Sequence, residues 1–178
     1  MIDGTGLSLR GWRESDLDVL TEMRNDLALQ SELLARPRGS GALQVRQWLQ
    51  NRAADPQGLL LIVAGRDDDR TLGYLQLTDI SAVDRRAELG ICLHAQAQGR
   101  GVGNEALTLV QPYLRRVWAL RKLNLRVRAD NARAIACYER VGFLRCGLLR
   151  HHVYIDGALR DLVLMEMFLE GTESACAS

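Results

Sequence analysis

The chain has 178 residues, 23 lysines and arginines against 22 aspartates and glutamates, and a formal charge of +1. That length suits one domain with a substantial core, and a balance this even gives no overall field for nucleic acid or an anionic membrane surface. No apolar run reaches the roughly 20 residues a helix needs to cross a bilayer.

In chain order, Leu7-Ser8-Leu9-Arg10-Gly11-Trp12 alternates like a first strand. Ser15-Asp16 offers N-cap chemistry. Leu17, Leu20, Met23, Leu27 and Leu29 follow at near-helical spacing. A loop at 36–41 precedes a second helix over 42–53, with Leu43, Trp48 and Leu49 expected inward. Leu59 to Ala64 is a nearly continuous apolar strand, and Arg66-Asp67-Asp68-Asp69-Arg70 is a hairpin loop. Strands are predicted over 71–80 and 86–93, a helix over 102–119, a strand over 122–127 and a short helix over 131–141. The last strands are expected from Gly142-Phe143-Leu144, near 152–154 and over 161–168. One domain is expected over 1–170, with a small polar tail at 171–178 frayed.

The four cysteines, Cys92, Cys137, Cys146 and Cys176, form no C-x-x-C pair, and the N-terminus has no signal-peptide pattern. Reduced thiols in a cytoplasmic protein are the expectation. Only Lys122 among the basic residues is a lysine, so nearly every cation is a planar fork suited to phosphate or carboxylate.

The chemistry centres on Gln98-Gly99-Arg100-Gly101-Val102-Gly103, which follows a strand-like run and opens a long helix. Three glycines in five residues let the backbone curl around an anion. A helix starting behind them points free N–H groups at it. A Rossmann dinucleotide site is disfavoured, because the full G-x-G-x-x-G and a following βαβ repeat are lacking. Taken alone, the pattern also fits a tight strand-to-helix turn.

A second segment, Asn131 to Phe143, reads N-x-x-A-x-x-x-Y-x-x-x-G-F. Together with the Q-x-x-G-x-G loop, Leu72-Gly73-Tyr74 and Glu88-Leu89-Gly90-Ile91, it resembles the GNAT superfamily of acyl-coenzyme A N-acyltransferases between about residues 71 and 167. The ending, with Gly147, Leu149-Arg150, Tyr154, Asp156-Gly157, Asp161 and Met165, is similar to the branch holding ribosomal-protein, spermidine and nucleotide-amino-sugar acetyltransferases. The resemblance implies a mixed α/β fold. Its central, mostly antiparallel twisted sheet would be flanked by helices and splayed around the coenzyme. It also implies acetyl-CoA as co-substrate, no metal and a homodimer.

By the same resemblance, the coenzyme would lie against Ile91, Cys92, Leu93, Gln98, Gly99, Arg100, Gly101, Val102, Gly103, Asn131 and Tyr138. Backbone N–H groups of Ile91 and Leu93 would pair with the pantetheine arm, and one near Gly90–Ile91 would stabilise the thioester oxyanion. Asn131 also suits an N-cap. Tyr138 occupies the family's general-acid position. A phenol with a pKa of about 10 is protonated at neutral pH and can give a proton to a departing thiolate, though it is equally suited to a core. An attacking alkylamine is almost entirely protonated at pH 7, so a base is required. Glu88 is placed for that role, the alternative being a surface glutamate paired with Arg85 or Arg86. His94 is its rival, and His151 and His152 are candidates for the acceptor pocket. Cys92 and Cys137 have no visible His partner, so direct transfer is favoured over an acyl-cysteine.

The acceptor stays open among an amino sugar, a protein N-terminus and, less favoured, a polyamine. A polyamine wants an acidic pocket. Glu14, Asp16, Asp18, Glu22, Asp26 and Glu32 are diluted by Arg24, Arg36 and Arg38, which suit a phosphate-bearing acceptor. Direct binding of nucleic acid is disfavoured. The alternative function is a non-catalytic acyl-CoA-binding sensor or assembly domain.

Overall fold

The longest apolar run, Leu59–Gly65 (β3), is inside an eight-stranded sheet and is buried from both sides. Its alternation decides what each residue meets. Leu61 and Val63 enter one core, while Leu60, Ile62 and Ala64 enter a second core on the opposite face. The computed structural model describes residues 1–169, and the tail expected over 171–178 lies outside them.

The other strands are β1 (Ile2–Asp3), β2 (Leu7–Arg10), β4 (Thr71–Ser81), β5 (Arg86–Leu93), β6 (Lys122–Arg128), β7 (Leu144–Ile155) and β8 (Ala158–Phe168). Their order is β1-β2-β3-β4-β5-β6-β8-β7. Every neighbouring pair is antiparallel except β5 with β6. A parallel pair needs a crossover, which α4 (Val102–Val117) supplies.

The first core packs Leu107, Val110 and Leu114 of α4 and Ile135 and Tyr138 of α5 (Ala132–Arg140) against Leu75, Leu89 and Leu123 of the sheet. The second packs α1 (Leu17–Asn25) and α3 (Ala42–Ala54) against the other face. There Leu20, Met23, Val45 and Leu49 meet Ile62, Tyr74 and Cys92. Each fully buried leucine contributes about 1.5–3 kcal/mol relative to exposure. Among the described residues, no helix is long and apolar enough to cross a membrane.

A buried ion pair ties α1 to the sheet. Asp16 closes a 3-10 turn ahead of α1 and accepts from Arg10 Nη1 and Nη2, both at 2.9 Å, from Thr71 Oγ1 at 2.6 Å and from the Arg13 N–H at 2.7 Å. Burial alone would raise the Asp16 carboxyl. The hydrogen bonds from Arg10, Thr71 and Arg13 outweigh it and hold the carboxyl below the usual range.

Four local expectations differ from the structure. The first predicted helix breaks at Asp26, whose extended backbone and side chain, accepting from Leu29 N–H at 3.0 Å, cap a separate α2 (Leu27–Glu32). Asn25 stops α1 by donating to Thr21 O and Ser40 O and accepting from the Ser40 N–H. Leu43 is exposed, not inward, because the buried stripe of α3 runs through Val45 and Leu49, with Trp48 half-buried beside them. The long α4 ends at Val117, two residues early. Finally, β7 is one strand rather than fragments. Two bulges interrupt its register with β8, and Asp156-Gly157, both at positive φ, turn the chain between them.

Candidate active-site cleft

The parallel ladder between β5 and β6 ends at Glu88 opposite Asn124. Beyond it, β5 continues through 89–93 and β6 through 125–128 without pairing to each other. The strands splay, and a cleft of about 670 Å³ opens between them. Its walls come from both faces of the sheet: α1, α2 and α3 on one side, α5 and the start of α4 on the other. Along the splayed edge of β5 the backbone groups lack a strand partner; Leu93 O accepts from Gln98 Nε2, and the others need a partner from water or a ligand.

At one end lies the glycine loop. Gly99 and Gly101 have φ of 73° and 81°, a region that favours glycine, and a Cβ on either would meet nothing within 4 Å. Gly101 is the N-cap of α4 without a side-chain cap, so the first N–H groups of α4 face outward unpaired by the helix. The Glu105 N–H closes the first turn onto Gly101 O at 3.0 Å. Gln98 secures the loop by donating from Nε2 to Leu93 O at 2.9 Å, while Arg133 donates to Gln98 Oε1. Such a terminus is an anion site. Gln98, Gly99, Gly101 and Gly103 line the cleft. Arg100 is exposed beside it and Val102 turns its side chain toward the first core.

Tyr138 and Ile135 share the buried face of α5, and Tyr138 also lines the cleft. Its ring packs edge-on against Phe143 with centroids 5.7 Å apart. Burial pushes the phenol well above its ordinary pKa, with Cys137, Cys92 and Glu32 adding to the effect. It therefore stays protonated over the whole neutral range. Asn131 caps α5, Oδ1 accepting from the Ala134 N–H at 3.1 Å, and borders the cleft.

Glu88 lies on the cleft wall, but its partner is neither Arg85 nor Arg86. Arg126 of β6 donates from Nε to Glu88 Oε1 at 2.9 Å. The pair bridges the two strands where they part. His94 turns the other way: Nδ1 accepts from the Gln96 N–H, and Nε2 is 3.3 Å from Glu22 Oε1, in a small separate hollow. It is therefore not placed as a base for the cleft. His151 and His152 are exposed on β7 and do not line the cleft. The strand's left-handed residue at His151 and its N–H bond to Asp161 hold that segment outward.

Ile91, Cys92 and Leu93 all border the cleft. Burial pushes the Cys92 thiol up to about 12. Cys137, also raised by burial, donates to Asn104 Oδ1 at 2.9 Å. Neither thiol is poised as a thiolate nucleophile.

The acidic residues of the N-terminal helices mostly have other duties. Asp16 is buried with Arg10, Glu14 pairs with Arg46, and Asp26 caps α2. Of the six, Glu32 alone lines the cleft, held by Arg133 at 2.9 Å. Sequence reasoning missed Arg52, Arg126, Arg133, Trp48 and Gln76 as cleft residues. Only Gln76 carried a local signal, since the alternation of β4 puts Tyr74, Gln76 and Thr78 on one face.

A family model described as an acetyltransferase (GNAT) domain matches residues 7–144, and the chain belongs to that family. Among its relatives is the spermidine N(1)-acetyltransferase of Escherichia coli K12, 36% identical over 101 residues, which are 57% of this chain and 54% of that enzyme. The chain thus aligns with about half the length of that relative. The spermidine N(1)-acetyltransferase of Vibrio cholerae is 24% identical over 171 residues, 94% of this chain and 98% of that one. The ribosomal-protein-serine acetyltransferase of E. coli is 24% identical over 103 residues, 58% of each. A crystal structure of the V. cholerae spermidine N-acetyltransferase with CoA and spermine superposes with a TM-score of 0.86 at 22% identity, over 93% of this chain and 97% of that one. The mixed α/β fold with a mostly antiparallel sheet is therefore that of the GNAT acetyltransferases.

Proposed function

We propose that this protein is an acetyl-CoA-dependent N-acetyltransferase acting on a primary amine by direct attack in a ternary complex. The observation that carries the reading is the cleft between β5 and β6, ending at the glycine loop and the open N-terminus of α4. Gly99, Gly101 and Gly103 with the first N–H groups of α4 hold the pyrophosphate. The free edge of β5 at Ile91 and Leu93 pairs with the pantetheine arm, and an N–H near Gly90–Ile91 stabilises the carbonyl oxyanion.

The amine nitrogen bonds to the thioester carbonyl carbon and the carbon–sulfur bond breaks. Glu88, held by Arg126, accepts the amine proton directly or through a water. Tyr138 gives its proton to the leaving sulfur. Burial keeps the phenol in its protonated, hydrogen-bond-donating form, and the high thiol of Cys92 argues against a covalent acyl-cysteine.

The spermidine acetyltransferases among the relatives support a polyamine acceptor. The protein N-terminus has support in the ribosomal-protein relative, and an amino sugar in the arginines of the cleft. A thiol-release assay with acetyl-CoA decides among them, using spermidine, alanine- and serine-starting peptides, and amino sugars. Turnover on one class, lost in Tyr138→Phe, is the expected result. Coenzyme binding without turnover on any amine would favour a non-catalytic acyl-CoA-binding domain. No coenzyme binding would remove the reading altogether.

A further inference from the structure

The cleft is lined by six arginines and two glutamates. Both glutamates are already matched: Glu32 by Arg133 and Glu88 by Arg126, each at 2.9 Å. Arg24, Arg36 and Arg52 line the same cleft, and among the described residues none of the three has a carboxylate partner. Arg24 and Arg52 are half-buried. A partly desolvated cation facing a cavity without a counter-charge is costly, and an anion entering the cavity removes that cost.

Arg24 is also held in place. Its guanidinium stacks over the Trp48 ring at 4.5 Å, and Trp48 meets Tyr74 edge-on at 5.3 Å. A stacked guanidinium keeps its hydrogen-bonding edges free for a ligand. Arg24 on α1 and Arg52 on α3 approach from the face of the second core. The glycine loop leads into α4, which packs on the opposite face with α5. The coenzyme phosphates are thus provided for elsewhere.

Resting on the acetyltransferase reading of the cleft, we infer that the acceptor amine carries an anionic group, phosphate or carboxylate, bound by Arg24 and Arg52. The register gives the component of its distance along the strand. Tyr74, beneath Trp48, pairs with Cys92, and Gln76 pairs with Gly90, beside the proposed oxyanion donor. Two residues at about 3.3 Å each offset the two positions by about 7 Å along the strand, and the stacked Trp48 and Arg24 add height above the sheet. A polyamine would bring further ammonium groups to a wall that already has an excess of cations.

Calorimetry on the full chain saturated with CoA tests this, with inorganic phosphate as the first probe, so that the pyrophosphate loop is already filled. Wild type should bind phosphate, and the double variant Arg24→Gln/Arg52→Gln should bind it about tenfold more weakly or worse. CoA affinity should stay within about twofold, which also reports that the variant is folded; Arg52→Gln alone serves if the double variant is not. Acetyl transfer to glucosamine 6-phosphate and to 6-aminohexanoate, against glucosamine and spermidine, distinguishes phosphate from carboxylate. The anionic amines should have the higher kcat/KM, and the variant should lose that advantage.

Equal phosphate binding by wild type and variant, or none by wild type, overturns the inference. So does a parallel loss of CoA affinity in a variant shown to be folded by circular dichroism, or spermidine as the best acceptor. Phosphate binding that depends on Arg24 and Arg52, with no amine acetylated, would keep the anion site and sink the acetyltransferase reading instead.

Discussion

Replacing Tyr138 with phenylalanine separates chemistry from packing. The ring stays, with its burial and its edge contact to Phe143 at 5.7 Å, so stability should change by no more than about 0.5 kcal/mol. At this chain length that is about 1–2 °C in Tm. Only the phenol proton is removed. General acid catalysis contributes about 10² to 10⁴ in rate, and a thiol with a pKa of about 8.5 is already a fair leaving group near neutrality, so the lower end applies. We expect kcat to fall about 10²-fold, equivalent to about 2.7 kcal/mol of barrier. The KM for acetyl-CoA should be unchanged.

The pH profile supplies an independent check. Burial holds the Tyr138 phenol well above its usual value, so it stays protonated while the amine acceptor, with a pKa of about 10.4, gains its neutral form as pH rises. The variant's kcat/KM should therefore run parallel to wild type between about pH 6 and 9.5, displaced downward. Steady-state thiol release on both proteins measures it. A kcat within about threefold of wild type, or a profile of different shape, would refute the proton-donor role and leave Tyr138 as a core aromatic. Tyr138→Ala is the contrasting variant, expected to cost about 3–5 kcal/mol of stability through the lost ring.

Glu88→Gln should lower kcat about 10²-fold at pH 7, with the deficit shrinking toward pH 10 as the amine deprotonates unaided; a deficit independent of pH would assign Glu88 to holding Arg126 instead. Gly101→Val places a branched residue at φ of 81° and should weaken CoA binding at least tenfold by calorimetry while leaving the fold's circular dichroism unchanged. Asp16→Ala leaves Arg10, whose side chain is 4% exposed, without its main counter-charge and should cost about 3–5 kcal/mol in urea unfolding. Because the folded Asp16 carboxyl lies below its unfolded value of about 3.9, its contribution is complete above that pH. It is lost as pH falls through the folded value, so wild type should lose more stability than Asp16→Ala on acidification below about pH 4.

What could be read from the sequence was whatever chemistry is local. The glycine loop is legible because positive φ at Gly99 and Gly101 is a single-residue demand, and β5 matches its expected bounds because turn residues and a glycine loop fence it. Tyr138 and Asn131 follow from a helix of nine residues whose cap and buried face are both encoded within it. The Glu88 partner was not legible: Arg126 is 38 residues away and meets it only because β5 and β6 run parallel. Arg24 on Trp48 depends in the same way on α1 packing beside α3. β7 is legible only in fragments because it is an outer strand, largely exposed on both faces, and loses the alternation that identifies a strand.

The one parallel pair explains why the site is where it is. In an otherwise antiparallel sheet, α4 must carry the chain back to start β6 beside the start of β5, so both strands diverge toward the end from which α4 departs. Divergence leaves the β5 edge at 89–93 without a β6 partner, and α4 begins where that edge finishes, after a 3-10 turn at Ala95–Ala97. An open row of backbone donors and acceptors and a helix N-terminus are thereby made collinear. A ligand with amides along its length and a pyrophosphate at one end satisfies both at once. On this argument, closing the splay with a disulfide between β5 and β6 should abolish coenzyme binding without unfolding the protein, whereas a comparable crosslink between β3 and β4 should leave it intact.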